Sequence, residues 1–168
     1  MNADIVLTGL PGAGKTTIGR LLSENIKDYR FCDVDSLIEE REKTTISEIF
    51  ERKSENYFRK LEEDFIKELS SQNNLIISIG GGAFESEINR TNLLNCGTVF
   101  YLYAPIEVLY ERIKHQKNRP LLNCDNPLQR LSELLLKREI NYKKSHFTID
   151  TADKTSDEII QDILRTLK

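Results

Sequence analysis

Short apolar runs alternate with longer amphipathic stretches along the 168-residue chain. Five of the runs predict β-strands, and several of these are continuously apolar, as is typical of strands buried on both faces of a parallel sheet. The predicted strands span residues 4–9, 30–35, 75–80, 98–104 and 147–150. The stretches between them repeat their apolar residues at helical spacing. This alternation predicts an α/β fold, a doubly wound five-stranded parallel sheet with helices on both faces.

Two of the intervening stretches have apolar stripes that a helix would place on one face. The first stripe consists of Tyr57, Phe58, Leu61, Phe65 and Leu69, and the second of Ile159, Ile160, Ile163, Leu164 and Leu167. Both stripes indicate core packing. The pairs Thr45 with Glu48 and Thr155 with Glu158 have the spacing of a capping box, which predicts a helix start at each.

Composition and charge narrow the function classes. The chain is 39% hydrophobic and 30% charged, which is typical of one globular domain over 1–168. A net charge of −3 argues against nucleic-acid or acidic-membrane partners. We see no signal peptide and no apolar run of the ~20 residues that span a bilayer. The three widely spaced cysteines (Cys32, Cys96 and Cys124) favour a reduced cytoplasm and argue against zinc.

The segment "HQKNRPLLNCDN" (115–126) interrupts the regular alternation. It is polar, contains Pro120 and precedes a predicted helix. One interpretation is a long surface loop. The other is a mobile lid over 114–126, because long structureless loops in compact domains are usually functional.

The string "GLPGAGKT", from Gly9 to Thr16, matches the P-loop pattern G-x-x-x-x-G-K-[ST] between a predicted strand and a predicted helix. Its glycines allow the backbone to turn its N–H groups toward phosphates, and the helix start adds a positive dipole end. Lys15 can reach the β- and γ-phosphates, and Thr16 can ligate Mg²⁺. The motif predicts binding of a nucleoside triphosphate.

Several classes of protein use a P-loop. The GTPase strings N-K-x-D and D-x-x-G are both absent from the sequence. An ATP-driven machine would usually carry further modules or a clear Walker B acid. A small single domain with a lid-like loop and an early acid pair favours a kinase for a small molecule.

The acid pair is Asp33 and Asp35, in "FCDVDS" at the end of the second predicted strand. Period-two alternation along a strand would point both carboxylates to one face, near the P-loop. One acid would then hold Mg²⁺ or its water, and the other would accept hydrogen bonds from the acceptor hydroxyl. The alternative is a pair of turn acids that cap the helix starting near Ser36.

The order of these motifs along nearly the whole chain resembles the shikimate kinase family. The segments that carry the resemblance are "GLPGAGKTTIG" (9–19), "DVD" (33–35), "ISEIF" (46–50), "FRKLEED" (58–64), "SIGGGA" (78–83), "NRPLL" (118–122), "KREINY" (137–142) and "IDT" (149–151). One departure is Ser54, where the family usually has glycine.

The resemblance implies an acceptor site between residues 35–63 and the glycine run. Arg59 and Arg138 would clamp the carboxylate of shikimate, since a guanidinium binds a carboxylate bidentately. Asp35 would accept from the ring hydroxyls, and Glu62 would hold Arg59. The run Gly80, Gly81 and Gly82 would offer N–H groups to the substrate. Taken alone, the residues allow a surface ion-pair ladder around Arg59 and a flexible turn at the glycines.

The resemblance also implies the nucleotide site. Its residues would be Gly12, Ala13, Gly14, Lys15, Thr16, Thr17, Arg112, Arg119 and Lys154. Lys15, Asp35 and Arg119 would be catalytic, with Arg119 reaching the phosphates when the lid closes. Thr16 and Asp33 would hold Mg²⁺.

The implied reaction is transfer of the γ-phosphoryl group of ATP to the 3-hydroxyl of shikimate, on the route to chorismate and the aromatic amino acids. The expected partners are therefore ATP and shikimate, with Mg²⁺ as cofactor, and the expected state is a cytoplasmic monomer. The enzymatic rivals are a gluconate kinase and a nucleoside monophosphate kinase, although the string D-G-[FY]-P-R of the latter is absent. The rival from another class is a nucleotide-binding regulatory module without turnover.

Overall fold

Five parallel strands form one sheet, as the sequence predicts, and their order is β2-β3-β1-β4-β5. The computed structural model describes residues 3–115 and 126–167. The strands are β1 (Asp4–Thr8), β2 (Arg30–Asp33), β3 (Leu75–Ser78), β4 (Gly97–Tyr103) and β5 (Phe147–Asp150). The central strand β1 and its neighbour β3 are buried along their whole length, which explains their mainly apolar character.

Helices cover both faces of the sheet. They are α1 (Lys15–Asn25), α2 (Val34–Glu42), α3 (Ile46–Arg52), α4 (Glu55–Leu69), α5 (Glu87–Cys96), α6 (Ile106–Ile113), α7 (Pro127–Tyr142) and α8 (Ser156–Thr166), with a 3₁₀ turn at Ala83–Glu85. Right-handed crossovers put α1 on one face, where it packs against α8, and put α4 and α5 together on the other.

The second strand ends earlier than its sequence predicts. The expected strand 30–35 stops at Asp33, which is the N-cap of α2 and accepts a hydrogen bond from the Ser36 N–H at 3.2 Å. Asp35 therefore lies in the first helical turn. The prediction that the two acids alternate along one strand is wrong, and the capping alternative is correct for Asp33, because a carboxylate satisfies the unpaired N–H groups of a helix start.

The predicted helix starts are confirmed. Thr45 and Thr155 each form a complete capping box with the glutamate three residues later. Ser54, the departure from the family pattern, caps α4 by accepting from the Tyr57 N–H at 3.2 Å. Tyr57 itself is 37% exposed and pairs with Glu42, so its assignment to the core stripe is wrong.

The core follows the sheet and includes the remaining stripe residues of α4 and those of α8 up to Leu164. Leu167 follows the end of α8 and is 38% exposed, so its assignment to the core stripe is wrong. Among residues 3–115 and 126–167, no helix is long and apolar enough to cross a membrane. Most of the predicted lid over 114–126 lies outside the described residues, and Arg119 and Cys124 both lie in that part.

Candidate active site

The P-loop joins β1 to α1 with the backbone that its glycines permit. Gly9, Gly12 and Gly14 have φ angles of 142°, 86° and 89°, in the region that side chains disfavour. A Cβ on Gly9 would stand 2.5 Å from the Leu102 carbonyl oxygen. The loop therefore needs glycine for both its turn and its contact with β4.

Lys15 begins α1 directly after this turn, and no side chain caps the helix. Its Nζ donates to the carbonyl oxygens of Gly9 at 2.9 Å and Leu10 at 3.1 Å. The ammonium group thus lies over the concave side of the loop. The N–H groups and positive dipole end of α1 point to the same place, which makes it suited to an anion.

Thr16 and Asp33 meet at the edge of this loop. The Thr16 hydroxyl donates to Oδ2 of Asp33 at 2.7 Å, while Oδ1 of Asp33 caps α2. A hydroxyl and a carboxylate oxygen side by side next to a phosphate cradle are the hard oxygen ligands that Mg²⁺ prefers. The donor set fits this metal.

Asp35 and Glu62 approach the glycine run from two different helices. A Cβ on Gly80 would stand 2.8 Å from Oδ1 of Asp35 and 2.9 Å from Oε1 of Glu62. Glu62 is fully buried, and its Oε1 has no hydrogen-bond partner within the described part of the chain. Burial raises the pKa of Glu62 from 4.5 to about 7, against the opposing charge of Arg59, and the negative charge of Asp35 adds to the rise.

Arg59 connects this buried acid to the surface. Its guanidinium lies 2.8 Å from Glu62 and 3.1 Å from Glu55, which is 60% exposed. Burial works against the charge of Arg59, but the two glutamates outweigh it, so the pKa of Arg59 is raised. The surface ion-pair ladder that the residues alone allowed is present only in part, because Arg59 pairs with the exposed Glu55 and with the fully buried Glu62 beside the glycine run.

Arg138 projects from α7 into this pocket and is 6% exposed. Its Nε and Nη1 atoms are buried and have no hydrogen-bond partner among residues 3–115 and 126–167. Leaving two buried N–H groups of a guanidinium without hydrogen bonds is costly, and native proteins rarely do so. The position is therefore prepared for an anionic ligand.

Each glycine of the run makes room for a different charged group. Gly80 faces Asp35 and Glu62, as described above, and a Cβ on Gly81 would stand 3.4 Å from Nη1 of Arg138. A Cβ on Gly82 would stand 2.6 Å from Nη2 of Arg59. The sequence suggested that the glycines admit the substrate, whereas the structure shows that they also admit the charged side chains around it.

The other side of the P-loop carries Arg112, and the loop after β5 carries Lys154; both were predicted for the nucleotide site. Arg112 on α6 donates to the Thr151 hydroxyl at 3.1 Å and the Thr151 carbonyl at 2.6 Å, and lies 3.4 Å from the Gly12 carbonyl. Lys154 pairs with Asp162 at 2.8 Å at the end of β5. These contacts put Arg112 beside the P-loop, and Lys154 in the loop that follows β5.

Among residues 3–115 and 126–167, the structure brings the predicted residues other than Lys154 into two adjacent groups at the carboxyl ends of the strands. One group consists of the P-loop residues with Asp33 and Arg112. The other consists of Asp35, Glu62, Arg59, Arg138 and the glycine run, residues 80–82. Sequence reasoning missed Thr151, which holds Arg112, and Tyr142, whose hydroxyl contacts Gly81. Thr151 lies in the family segment "IDT" and Tyr142 in "KREINY", so their place in these segments was the sequence feature that could have identified them.

A P-loop on a parallel sheet, with two arginines and an acid facing a glycine run, defines a P-loop kinase for a small acidic acceptor. The profile of the family described as Shikimate kinase matches residues 11–168. A shikimate kinase from Thermodesulfovibrio yellowstonii is 40% identical over 162 residues, covering 96% of this chain and 93% of that protein. The chain belongs to the shikimate kinase family.

Solved structures agree with this assignment. A shikimate kinase from Acinetobacter baumannii, solved in complex with shikimate, superposes with a TM-score of 0.95 at 40% identity, covering 99% of this chain and 93% of that one. A gluconokinase from Sinorhizobium meliloti reaches a TM-score of 0.66 at 18% identity, covering 99% and 91%. The latter shares the fold, and the family assignment excludes the gluconate-kinase alternative.

Proposed function

We propose that this protein transfers the γ-phosphoryl group of ATP to the 3-hydroxyl of shikimate, giving shikimate 3-phosphate and ADP on the route to chorismate. The observation that carries the proposal is the buried guanidinium of Arg138, whose Nε and Nη1 lack partners within the described residues. With Arg59 nearby on α4, it offers a planar double clamp to a carboxylate. Among the acceptors considered, shikimate combines a carboxylate with ring hydroxyls at a fixed distance.

The acceptor half of the site would work by orientation. Arg59 and Arg138 hold the carboxylate, and Glu62 fixes Arg59 from behind through its 2.8 Å contact. The N–H groups of the glycine run, residues 80–82, meet the ring. Asp35 accepts a hydrogen bond from the attacking hydroxyl and so directs its lone pair at phosphorus.

ATP would bind through the P-loop residues Gly12, Ala13, Gly14 and Thr17, and Arg112 and Lys154 would flank its adenine base. Lys15 exchanges its contacts with the Gly9 and Leu10 carbonyls for oxygens of the β- and γ-phosphates. Arg119, in the segment outside the described residues, is proposed to reach the same phosphates. Its positive charge would offset the charge that develops during transfer.

We also propose Mg²⁺ as the metal, held by Thr16 and Asp33 together with phosphate oxygens. Support comes from the adjacent hydroxyl and carboxylate oxygens at 2.7 Å. When bound, Mg²⁺ would neutralise phosphate charge. Thr16 and Asp33 would each turn an oxygen lone pair toward it.

In the transfer itself, the 3-oxygen of shikimate forms a bond to the γ-phosphorus, and the bond from that phosphorus to the bridging oxygen of ADP breaks. The hydroxyl proton leaves through Asp35 or to solvent. Such transition states are loose, so positioning and electrostatics contribute more than proton removal. Lys15 and Arg119 stabilise the charge, and Asp35 is an orienting residue first and a base second.

One assay separates this proposal from its rivals. ADP release is followed with shikimate, quinate, gluconate and AMP as acceptors. Turnover that depends on shikimate alone is the expected result. A nucleoside monophosphate kinase would respond to AMP, and a regulatory module would release no ADP with any acceptor, and either result would contradict the proposal.

The remaining expectations complete the proposal. We propose a single domain over 1–168, with 35–63 as the acceptor-binding segment and 114–126 as the lid. The protein would be a cytoplasmic monomer without nucleic-acid or membrane partners. Size-exclusion chromatography with light scattering tests the monomer, and cell fractionation tests the location.

A further inference from the structure

Tyr142, the last residue of α7, is a fully buried tyrosine whose hydroxyl lies at the acceptor pocket. Its ring stacks on Tyr101 with the centroids 4.9 Å apart. Its hydroxyl donates to the carbonyl oxygen of Gly81 in the glycine run. A phenylalanine would fill the same space in the core, so the hydroxyl has a purpose other than packing.

The three carbonyls of the glycine run have different partners. Those of Gly80 and Gly82 accept backbone N–H groups from Ala83 and Glu85 in the following 3₁₀ turn. The Gly81 carbonyl accepts the side-chain hydroxyl of Tyr142 instead. The centre of the run is therefore fixed by α7, while its two neighbours are fixed by their own turn.

Arg138 lies one helical turn before Tyr142 and on the same face of α7, since residues four apart are neighbours. Its Nη1 stands 3.4 Å from the position of a Cβ on Gly81. Tyr142 thus hydrogen-bonds Gly81, and the Arg138 guanidinium occupies the space next to the same glycine, where a side chain would meet it. Movement of Gly81 relative to α7 would change the space in which the guanidinium lies.

The hydroxyl stays a donor throughout the neutral pH range. Burial raises the pKa of Tyr142 above its ordinary value of 10, and the positive charge of Arg138 only partly opposes the rise. The link between α7 and the glycine run is therefore permanent rather than switched by pH.

We propose that Tyr142 is a positioning residue for the acceptor carboxylate. By fixing Gly81 to α7, it holds the Arg138 guanidinium in the orientation that clamps the carboxylate. This inference rests on the proposed function, because it assumes that Arg138 binds the carboxylate of the acceptor.

The test compares Tyr142→Phe with Tyr101→Phe. Both variants delete one hydroxyl from a buried, stacked tyrosine, but the Tyr101 hydroxyl makes no hydrogen bond within residues 3–115 and 126–167, so it is the matched control. Each enzyme is assayed with shikimate and with its carboxamide, which lacks the negative charge. The measured quantity is the kcat/KM for shikimate divided by the kcat/KM for the carboxamide. Both values come from one preparation, so the ratio does not depend on the folded fraction.

In Y142F the ratio should fall about 5-fold, the size expected for one hydrogen bond, with the loss mainly in the KM for shikimate. The KM for ATP and the ratio in Y101F should stay unchanged. Equal losses for both acceptors, or equal ratios in the two variants, would show a structural role and overturn the inference.

Arg138→Lys separates this inference from the proposed function. If R138K lowers the ratio and Y142F does not, the carboxylate clamp stands and only the role of Tyr142 fails. If R138K leaves the ratio unchanged, the clamp in the proposed function is wrong, and the inference falls with it.

Discussion

Glu62 should make the free energy of unfolding fall as the pH rises from 5 to 8. Its pKa is raised by burial from 4.5 to about 7 in the folded protein. Between these two values the folded state holds a proton that the unfolded chain has released, so each rise in pH favours unfolding. At about 1.36 kcal/mol per pKa unit, the full effect is about 3 kcal/mol. This stability is present below pH 4.5 and lost above pH 7.

Glu62→Gln removes the titration and keeps the shape of the side chain. Urea unfolding of wild type and E62Q at pH 5, 6, 7 and 8 gives the free energies. The free energy of unfolding of E62Q minus that of wild type should increase by about 2–3 kcal/mol from pH 5 to pH 8. Burial also raises the pKa of Asp4, but Asp4 is the same in both proteins, so its contribution cancels.

Glu55→Gln is the matched control, because Glu55 contacts the same guanidinium of Arg59 and its side chain is 60% exposed. An exposed ion pair contributes little to stability, so E55Q should not reproduce the pH-dependent gain of E62Q. Parallel curves for wild type and E62Q would show that Glu62 does not titrate in this range. The account of its burial against Arg59 and Asp35 would then be refuted.

Three further predictions concern activity. Lys15→Met should lower kcat by orders of magnitude with an unchanged circular dichroism spectrum, and near-normal turnover would end the P-loop assignment. Asp35→Asn should abolish most turnover while ATP binding survives, and Asp33→Asn should raise the Mg²⁺ concentration for half-maximal rate; identical Mg²⁺ titrations of the two variants would contradict this division. Gly82→Ala should raise the shikimate KM about 10-fold, with the ATP KM unchanged, because its Cβ would displace Arg59; an unchanged shikimate KM would contradict it.

The architecture could be predicted from local patterns because each strand is a continuous apolar run beside a helical stripe. All five strands and the two capping boxes are where the pattern puts them, and β5 has the predicted bounds 147–150. The end of β2 was missed because a helix N-cap and a strand residue have the same extended backbone. Asp33 is both the last residue of β2 and the N-cap of α2, and its hydrogen bond with the Ser36 N–H marks the start of the helix.

The site was less predictable, because burial depends on partners that are distant in sequence. Helical spacing puts Glu62 on the buried face of α4 with Phe58 and Phe65, but it does not show that Asp35 and Arg59 face the same carboxylate. The contact between Tyr142 and Gly81 joins residues 61 positions apart. Such contacts arise when α7 docks against the glycine run, and no periodicity in the sequence encodes that docking.

Under the proposed function, the order of the strands would place the acceptor and the nucleotide base on different sides of the P-loop. The P-loop follows the central strand β1, with β2 and β3 on one side and β4 and β5 on the other. The glycine run follows β3, whereas Arg112 and Lys154 lie on the β4–β5 side. Mutations in the glycine run would then change acceptor choice without touching Arg112 or Lys154. This layout would let one ancestral fold acquire new acceptors during evolution while keeping a single phosphate donor.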